Sequence, residues 1–109
     1  MKKHCFITNI KSSELLSEYV HHHDNIYPEV TSGLRSAGVL SLEINAVPGT
    51  LTLIMTITTR ANVDLDAALG PGSAYREIAK CKEWEELMDN RFHGGWAKCE
   101  EIHNSENWG

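Results

Sequence analysis

Three consecutive histidines, His21, His22 and His23, stand in the stretch EYVHHHDNIYPE at residues 18–29. Imidazole can bind a metal ion or transfer protons near neutral pH, so this stretch is the first place to look for chemistry. Successive side chains on a helix are about 100° apart, and three neighbouring histidines therefore point in three directions. They cannot all bind one ion, and the sequence predicts no metal site.

His23 differs from the other two because it lies on the apolar stripe of a predicted helix, together with Leu16 and Val20. Tyr19 precedes it by four residues and is its neighbour on the helix surface. Spacing alone leaves two interpretations of His23 open: a hydrogen-bonded histidine of the core, or a proton donor and acceptor with an ordinary pKa of about 6.5. Tyr27 lies on the same stripe and is a candidate substrate contact.

The elements that must position these residues follow from the alternation of apolar and polar residues. The pattern predicts strands over residues 4–10, 39–46, 51–59 and 96–103, helices from Ser12 or Ser13 to Ala37 and over residues 74–92, and a short helical patch in residues 64–69. Pro48 and Gly49 fit a type II turn between the two middle strands. Pro28 predicts a kink in the first helix, or a restart from a cap at Asp24 or Asn25.

Apolar stripes along these elements predict the core. On the second strand Leu40, Leu42 and Ile44 alternate with polar residues, which is typical of a half-buried strand. The predicted stripe of the second helix consists of Ile78, Cys81, Met88 and Phe92. A packing role for the Cys81 thiol is therefore favoured over nucleophilic catalysis.

The element order β-α-β-β-α-β predicts a single α+β domain over residues 1–109, with a ferredoxin-like, four-stranded antiparallel sheet and both helices on one face. The opposite face mixes Ile54 with Thr52, Thr56 and Glu43. That mixture is too polar for a dry core and too apolar for open water. We therefore expect a homodimer, with a pocket closed partly by dimerisation.

Composition limits the classes of partner. The net charge is −5 with no basic block, so we expect neither nucleic acid nor an anionic membrane as a partner. The longest apolar run falls far short of the roughly 20 residues that cross a bilayer. Three cysteines at wide spacings predict reduced thiols and a cytoplasmic location.

Two segments carry a resemblance to a known family. EYVHHHDNIYPEVTSGLRSAGVLSLEI, and in the second helix CKEWEELM, resemble the signature regions of the L-rhamnose mutarotase family. The resemblance implies a dimeric α/β barrel and an isomerase that interconverts the α and β anomers of a 6-deoxy sugar by acid-base catalysis. It also implies that no cofactor is needed.

Site residues carry over from the resemblance position by position. His23 matches the family's catalytic acid, Tyr19 its neighbouring sugar-binding tyrosine, and Trp84 the first of two tandem tryptophans that line the pocket. Two positions depart from the pattern: Leu42 stands where the family has a sugar-binding tyrosine, and Glu85 replaces the second tryptophan. We expect both to contact substrate and to alter which sugar hydroxyls are satisfied, so L-rhamnose and L-fucose are both candidates.

Other assignments stay open from sequence alone. The second proton carrier could be water, Glu85 or Asp24. A cofactor-free monooxygenase of the same barrel type is an alternative enzyme, and it would require an apolar cavity. A non-catalytic sugar-binding domain is a third possibility, in which Leu42 would mark a loss of activity.

Overall fold

The computed structural model describes residues 1–108. The four strands are β1 Lys2–Asn9, β2 Val39–Ala46, β3 Thr52–Thr59 and β4 Ala97–Lys98. The five α-helices are α1 Leu16–Asp24, α2 Pro28–Ser36, α3 Leu65–Leu69, α4 Ala74–Glu77 and α5 Ala79–Leu87. A 3-10 turn at Ser13–Leu15 precedes α1, a π-helical turn at Met88–Phe92 follows α5, and a 3-10 turn at Ser105–Asn107 lies in the C-terminal tail.

The four strands form one antiparallel sheet in the order β2-β3-β1-β4. This is the strand order of the split βαβ arrangement, so the predicted ferredoxin-like α+β fold is confirmed. The main core packs the helices onto one face of the sheet, where Leu53 of β3 meets Val30 of α2 and Cys81 of α5. We call this the inner face and the opposite side the outer face.

The β2–β3 hairpin forms as predicted. The N–H of Thr50 donates to the carbonyl of Val47 at 3.1 Å, and Gly49 has the positive φ of 76° that the third position of a type II turn requires. The predicted burial of β2 is wrong, however, because Leu40 and Leu42 are exposed and only Ile44 is half-buried. Leu40, Leu42 and Ile44 instead line a cavity that separates them from the helices.

The first predicted helix is divided into α1 and α2. Ser12 caps the 3-10 turn before α1, as predicted, by accepting a hydrogen bond from the N–H of Glu14. The expected restart cap at Asp24 or Asn25 is wrong: Asn25 ends α1, and Tyr27 precedes α2 with no side-chain cap. Pro28 opens α2, where a missing N–H costs nothing.

The second predicted helix is also interrupted. Ile78 is extended, with ψ of 119°, and separates α4 from α5. It is exposed, so its place in the predicted stripe is wrong, while Cys81, Met88 and Phe92 are buried as predicted. Trp84 joins them. A single extended residue leaves the apolar spacing almost unchanged, and so the periodicity could not reveal the break.

The last strand is much shorter than predicted. Only two residues of β4 pair with β1, Ala97 with Ile7 and Lys98 with Phe6. One more backbone bond joins Cys99 to the β1 edge. Beyond it the chain carries two adjacent carboxylates and runs exposed to residue 108.

Candidate functional site

A cavity of about 910 Å³ lies between the helices and the inner face of the sheet. This volume is within the range of small-molecule sites. Its polar lining includes Tyr19, His23, Tyr75, Arg76, Glu85 and His93, and its apolar lining includes Leu42, Ile44, Leu53, Met55, Trp84 and Trp96. This cavity lies on the helix side of the sheet. The pocket that the sequence led us to expect on the outer face, closed partly by dimerisation, stays a prediction.

His23 is held by the backbone of its own helix. Its Nδ1 lies 2.8 Å from the carbonyl oxygen of Tyr19, one turn earlier. A carbonyl only accepts, so Nδ1 carries the hydrogen and Nε2 of the neutral ring has a free lone pair. In residues 1–108 every buried side-chain nitrogen has a hydrogen-bond partner. Nε2 of His23 has no such partner, so this atom is not buried and is accessible in the cavity that His23 lines.

Burial lowers the pKa of His23 below its ordinary value of 6.5. The hydrogen bond to Tyr19 and the charge of Asp24 act in the opposite direction, while His93 and His22 add to the lowering. The neutral form therefore dominates near pH 7. In this state His23 is prepared to accept a proton at Nε2.

The phenol ring of Tyr19 lies tilted against the His23 ring, and its hydroxyl reaches a second histidine. The ring centroids of Tyr19 and His23 are 4.3 Å apart. Nδ1 of His93 donates to the carbonyl of Gly94 at 2.7 Å, so Nε2 of neutral His93 accepts from the Tyr19 hydroxyl at 3.2 Å. Burial, with a smaller contribution from the charge of Glu85, raises the pKa of Tyr19. Its hydroxyl oxygen remains free to accept a hydrogen bond from a ligand.

Glu85 faces the same cavity from α5. The hydroxyl of Tyr75 donates to Glu85 Oε1 at 2.9 Å, and the Nη2 atom of Arg76 lies 4.0 Å from Oε2. Burial raises the pKa of Glu85, although the Tyr75 hydrogen bond and the Arg76 charge oppose the rise. The carboxyl group is half-buried, with one oxygen occupied by Tyr75.

The two tryptophans of the cavity wall each contact a histidine. Trp84 is buried, and its ring lies edge-on to that of His23 at a centroid distance of 5.0 Å. Trp96 meets His93 in the same way at 4.9 Å. Each indole therefore limits the motion of a neighbouring imidazole and presents a flat apolar edge to the cavity.

The structure brings together five of the six predicted site residues: Tyr19, His23, Leu42, Trp84 and Glu85 all line the cavity. Tyr27 does not. Its ring packs behind Trp84 at 5.7 Å, beneath the ammonium group of Lys80. Asp24, one candidate for the second proton carrier, lines the cavity but is exposed.

Sequence reasoning missed His93, Trp96 and Tyr75 as site residues. In residues 1–108 no group of three or more His, Cys, Asp or Glu is placed to hold a metal ion. The only sequence signal of His93, Trp96 and Tyr75 is their residue type, because each reaches the cavity through contacts with residues distant in sequence.

Comparison with known families decides the assignment. A sequence profile described as L-rhamnose mutarotase matches residues 3–108, nearly the whole chain. The chain belongs to the L-rhamnose mutarotase family. Members of this family are isomerases that act on carbohydrate anomers, and this chain is therefore an isomerase of that class.

One solved structure shares the fold of this chain. It is an L-rhamnose mutarotase from Formosa agariphila, which at 16% sequence identity superposes with a TM-score of 0.73 over 95% of this chain and 98% of that chain. A dimeric ferredoxin-like protein from an uncultured marine organism has a TM-score of 0.49 and 10% identity, over 94% of this chain and 95% of that chain. The second likeness is too weak to support a conclusion. A comparison with curated protein sequences found no match.

In this L-rhamnose mutarotase family member, two positions of the cavity wall differ from the family pattern that the resemblance implies. Leu42 and Glu85, the two departures from the family pattern, both line the cavity. Glu85 brings a hydrogen-bonded phenol, Tyr75, where the pattern has a second indole. None of the helices in residues 1–108 is long and apolar enough to cross a membrane.

Proposed function

We propose that this chain interconverts the α and β anomers of a 6-deoxy aldose, with His23 as a proton carrier. The observation that supports the proposal is the accessible Nε2 of His23 in a cavity with both polar and apolar walls. Mutarotation opens and closes the pyranose ring by moving protons between two oxygens, and it needs carriers whose pKa is near the working pH. An imidazole beside the phenol of Tyr19 meets that need.

His23 starts the reaction as a base. The resemblance implies a catalytic acid at this position, but the hydrogen on Nδ1 and the lowered pKa favour a neutral ring in the resting site. Nε2 then takes the proton of the anomeric hydroxyl, and the imidazolium returns it when the ring closes. Tyr19 orients a sugar hydroxyl that donates to its phenol oxygen.

The walls of the cavity suit a sugar that carries a methyl group. Leu42, Ile44 and Leu53 offer an apolar surface from the sheet, and Tyr19 and Glu85 lie on the helix side with groups that hydrogen-bond hydroxyls. L-rhamnose and L-fucose both have this mixed character. Leucine at position 42 removes a hydroxyl that the family pattern provides, and we therefore propose both sugars as substrates to be compared.

Saturation-transfer NMR on the anomeric protons of L-rhamnose and L-fucose tests the proposal. We expect the wild-type protein to accelerate exchange between the two anomers of at least one sugar. His23→Ala is expected to abolish the acceleration, by about 100-fold or more if the general base is lost. His21→Ala is the matched control, because His21 belongs to the same run but is exposed.

Two results would contradict this function. If the wild-type protein accelerates exchange of neither sugar, the chain is not a 6-deoxy-sugar mutarotase. Equal loss of activity in H21A and H23A would mean that the histidine run acts through folding rather than through His23. Most of the cavity lining is apolar, and it is the polar groups Tyr19, His23 and Glu85 in the wall that favour a hydroxylated substrate over the substrate of a monooxygenase.

We further propose that two copies pair through the outer face of the sheet. Ile7 is exposed there, beside Ile54 on β3 and Ala97 on β4. The surrounding positions carry threonines rather than a run of charges. Within residues 1–108 no helix packs on this face, and a second copy would bury its exposed isoleucine Ile7.

The proposal includes a cytoplasmic location. All three cysteines, Cys5, Cys81 and Cys99, are free thiols. Cys5 and Cys99 lie next to each other across β1 and β4 without forming a disulfide. Such thiols are typical of a reducing compartment. Fractionation of the source cells with an antibody to the chain tests this part of the proposal.

A further inference from the structure

We propose that Glu85 is the second catalytic residue: it protonates the ring oxygen while His23 takes the proton of the anomeric hydroxyl. This inference rests on the proposed mutarotase function and goes beyond it by assigning the general acid. The family pattern has a tryptophan at this position, so the role belongs to this chain.

Glu85 and His23 face one cavity from neighbouring helices. Trp84 precedes Glu85 on α5, and its indole contacts the His23 ring at 5.0 Å. Glu85 is also near enough to Tyr19 for its charge to act on that phenol. A sugar held between α1 and α5 therefore has the imidazole on one side and the carboxyl group on the other.

The hydrogen bonds of Glu85 leave one oxygen for the substrate. Oε1 accepts from the Tyr75 hydroxyl at 2.9 Å, which holds the carboxyl plane. Oε2 has no hydrogen bond, because Arg76 at 4.0 Å is beyond hydrogen-bond distance. In the described residues 1–108 every buried side-chain oxygen has a hydrogen-bond partner, so Oε2, which has none, is not buried and is accessible. It is the oxygen that can carry a proton toward a ligand.

The surroundings push the two groups toward complementary neutral forms. Burial raises the pKa of Glu85 and lowers that of His23. The charged and titratable groups around Glu85 are Tyr75, Arg76, Asp89 and His93, and those around His23 are Tyr19, His22, Asp24 and His93. Burial therefore favours the protonated carboxyl of Glu85 and the unprotonated imidazole of His23, which are the forms that a general acid and a general base need.

Together, His23 and Glu85 account for every proton transfer in ring opening and closure. Nε2 of His23 takes the hydroxyl proton, the anomeric carbon forms a carbonyl, its bond to the ring oxygen breaks, and Glu85 protonates that oxygen. The aldehyde then rotates about its bond to the next carbon. In closure the new hydroxyl attacks the other face, Glu85 recovers its proton, and His23 returns the first one. Both residues end as they began.

Asp24 is a poorer candidate for the acid. It lines the cavity but is exposed, so water competes for its hydrogen bonds. No side chain holds it as Tyr75 holds Glu85. The geometry therefore selects the carboxyl of α5.

The first test compares Glu85→Gln with Glu86→Gln in the NMR exchange assay over a range of pH. Glutamine keeps the oxygen that accepts the Tyr75 bond but cannot give a proton, so we expect turnover to fall about 100-fold with little change in KM. We expect wild-type activity to fall at low pH, where His23 is protonated, and at high pH, where Glu85 is ionised. The high-pH loss is expected to disappear in E85Q. Glu86 is exposed on the same helix and serves as the control.

The second test uses Tyr75→Phe and does not depend on how E85Q folds. The Tyr75 hydrogen bond lowers the pKa of Glu85, and its removal raises that pKa further. The high-pH loss of activity is therefore expected to move to higher pH in Y75F. A merely structural role of Tyr75 would change the rate without moving this limb.

Four results would overturn the assignment of Glu85. In E85Q they are wild-type turnover, a raised KM with unchanged turnover, or a high-pH limb that persists. In Y75F it is a high-pH limb that stays in place. Each leaves the mutarotase function intact, because that function fails only if the wild-type protein does not accelerate exchange. Circular dichroism and thermal melting confirm that the variants compared are folded.

Discussion

At the scale of single residues, hydrogen bonds decide which atoms of the site can exchange protons. The bond from His23 Nδ1 to the Tyr19 carbonyl leaves Nε2 as the basic atom. The bond from the Tyr75 hydroxyl to Glu85 leaves Oε2 open to the cavity. His93 holds the hydroxyl hydrogen of Tyr19, so that phenol can only accept from a sugar. Three short contacts thus assign a direction to each polar group.

The lowered pKa of His23 predicts a loss of stability in acid. In the unfolded chain His23 protonates near its ordinary pKa of 6.5, and in the folded chain only at lower pH. The unfolded state therefore binds more protons as pH falls below about 6.5, and the folded state is disfavoured by about 1.4 kcal/mol per unit of pKa difference. Urea unfolding at about pH 8 and about pH 5 measures this loss.

His23→Gln is expected to lose less stability than the wild-type protein over that pH interval. His21→Gln is the control and is expected to follow the wild type, since His21 is exposed. If wild type and H23Q lose the same free energy of unfolding between the two pH values, burial does not shift the His23 pKa.

At the scale of elements, short breaks in the helices create the site. The break before Pro28 ends α1 one residue after His23, so the Tyr19–His23 pair occupies the last turn of that helix. The extended Ile78 separates α4 from α5 and brings Tyr75 to face Glu85. These breaks allow two helices to contribute polar groups to one cavity.

The junction of α2 and β2 depends on Gly38, and a substitution there tests this dependence. Gly38 has a φ of 100°, and an added Cβ would lie 2.5 Å from Cγ2 of Val63. Gly38→Ala is expected to lower the free energy of unfolding by about 1–2 kcal/mol for the left-handed backbone and about 1–3 kcal/mol for overpacking. Gly94→Ala is the control, because its Cβ meets open space, and we expect a change within about 0.5 kcal/mol. Equal urea midpoints for the two variants would contradict the strain at Gly38.

Local sequence patterns predict some features of the helices and strands but not others. The β2 bounds, the Ser12 cap and the Gly49 turn were predictable because each depends on residues a few positions apart. The length of β4 was not. Whether Cys99 and the residues after it pair with β1 depends on a partner strand almost a hundred residues earlier in the chain.

At the scale of the whole molecule, the site and the proposed interface lie on opposite faces of one sheet. The inner face carries the cavity, which is lined by residues of the helices and of the sheet. The outer face carries Ile7 and Ile54 without a covering helix. Association through the outer face is therefore separable from catalysis.

Ile7→Glu tests that separation. A carboxylate at the centre of the outer face is expected to convert a dimer to a monomer in sedimentation velocity, while the exchange activity remains. Val47→Glu is the control, because Val47 is similarly exposed but lies at the hairpin end. A wild-type protein that sediments as a monomer, or an I7E variant that stays dimeric, would contradict pairing through this face.

The sequence by itself determined the order of elements and the family. It also determined the pairing of Tyr19 with His23, because two residues four apart on a helix are neighbours on its surface. It also marked Glu85 as a departure from the family pattern. Only the tertiary structure decided what these residues meet. Tyr19 bonds to a histidine 74 positions later in the chain. Contacts of that length arise from how helices pack on a sheet, and no local pattern encodes them.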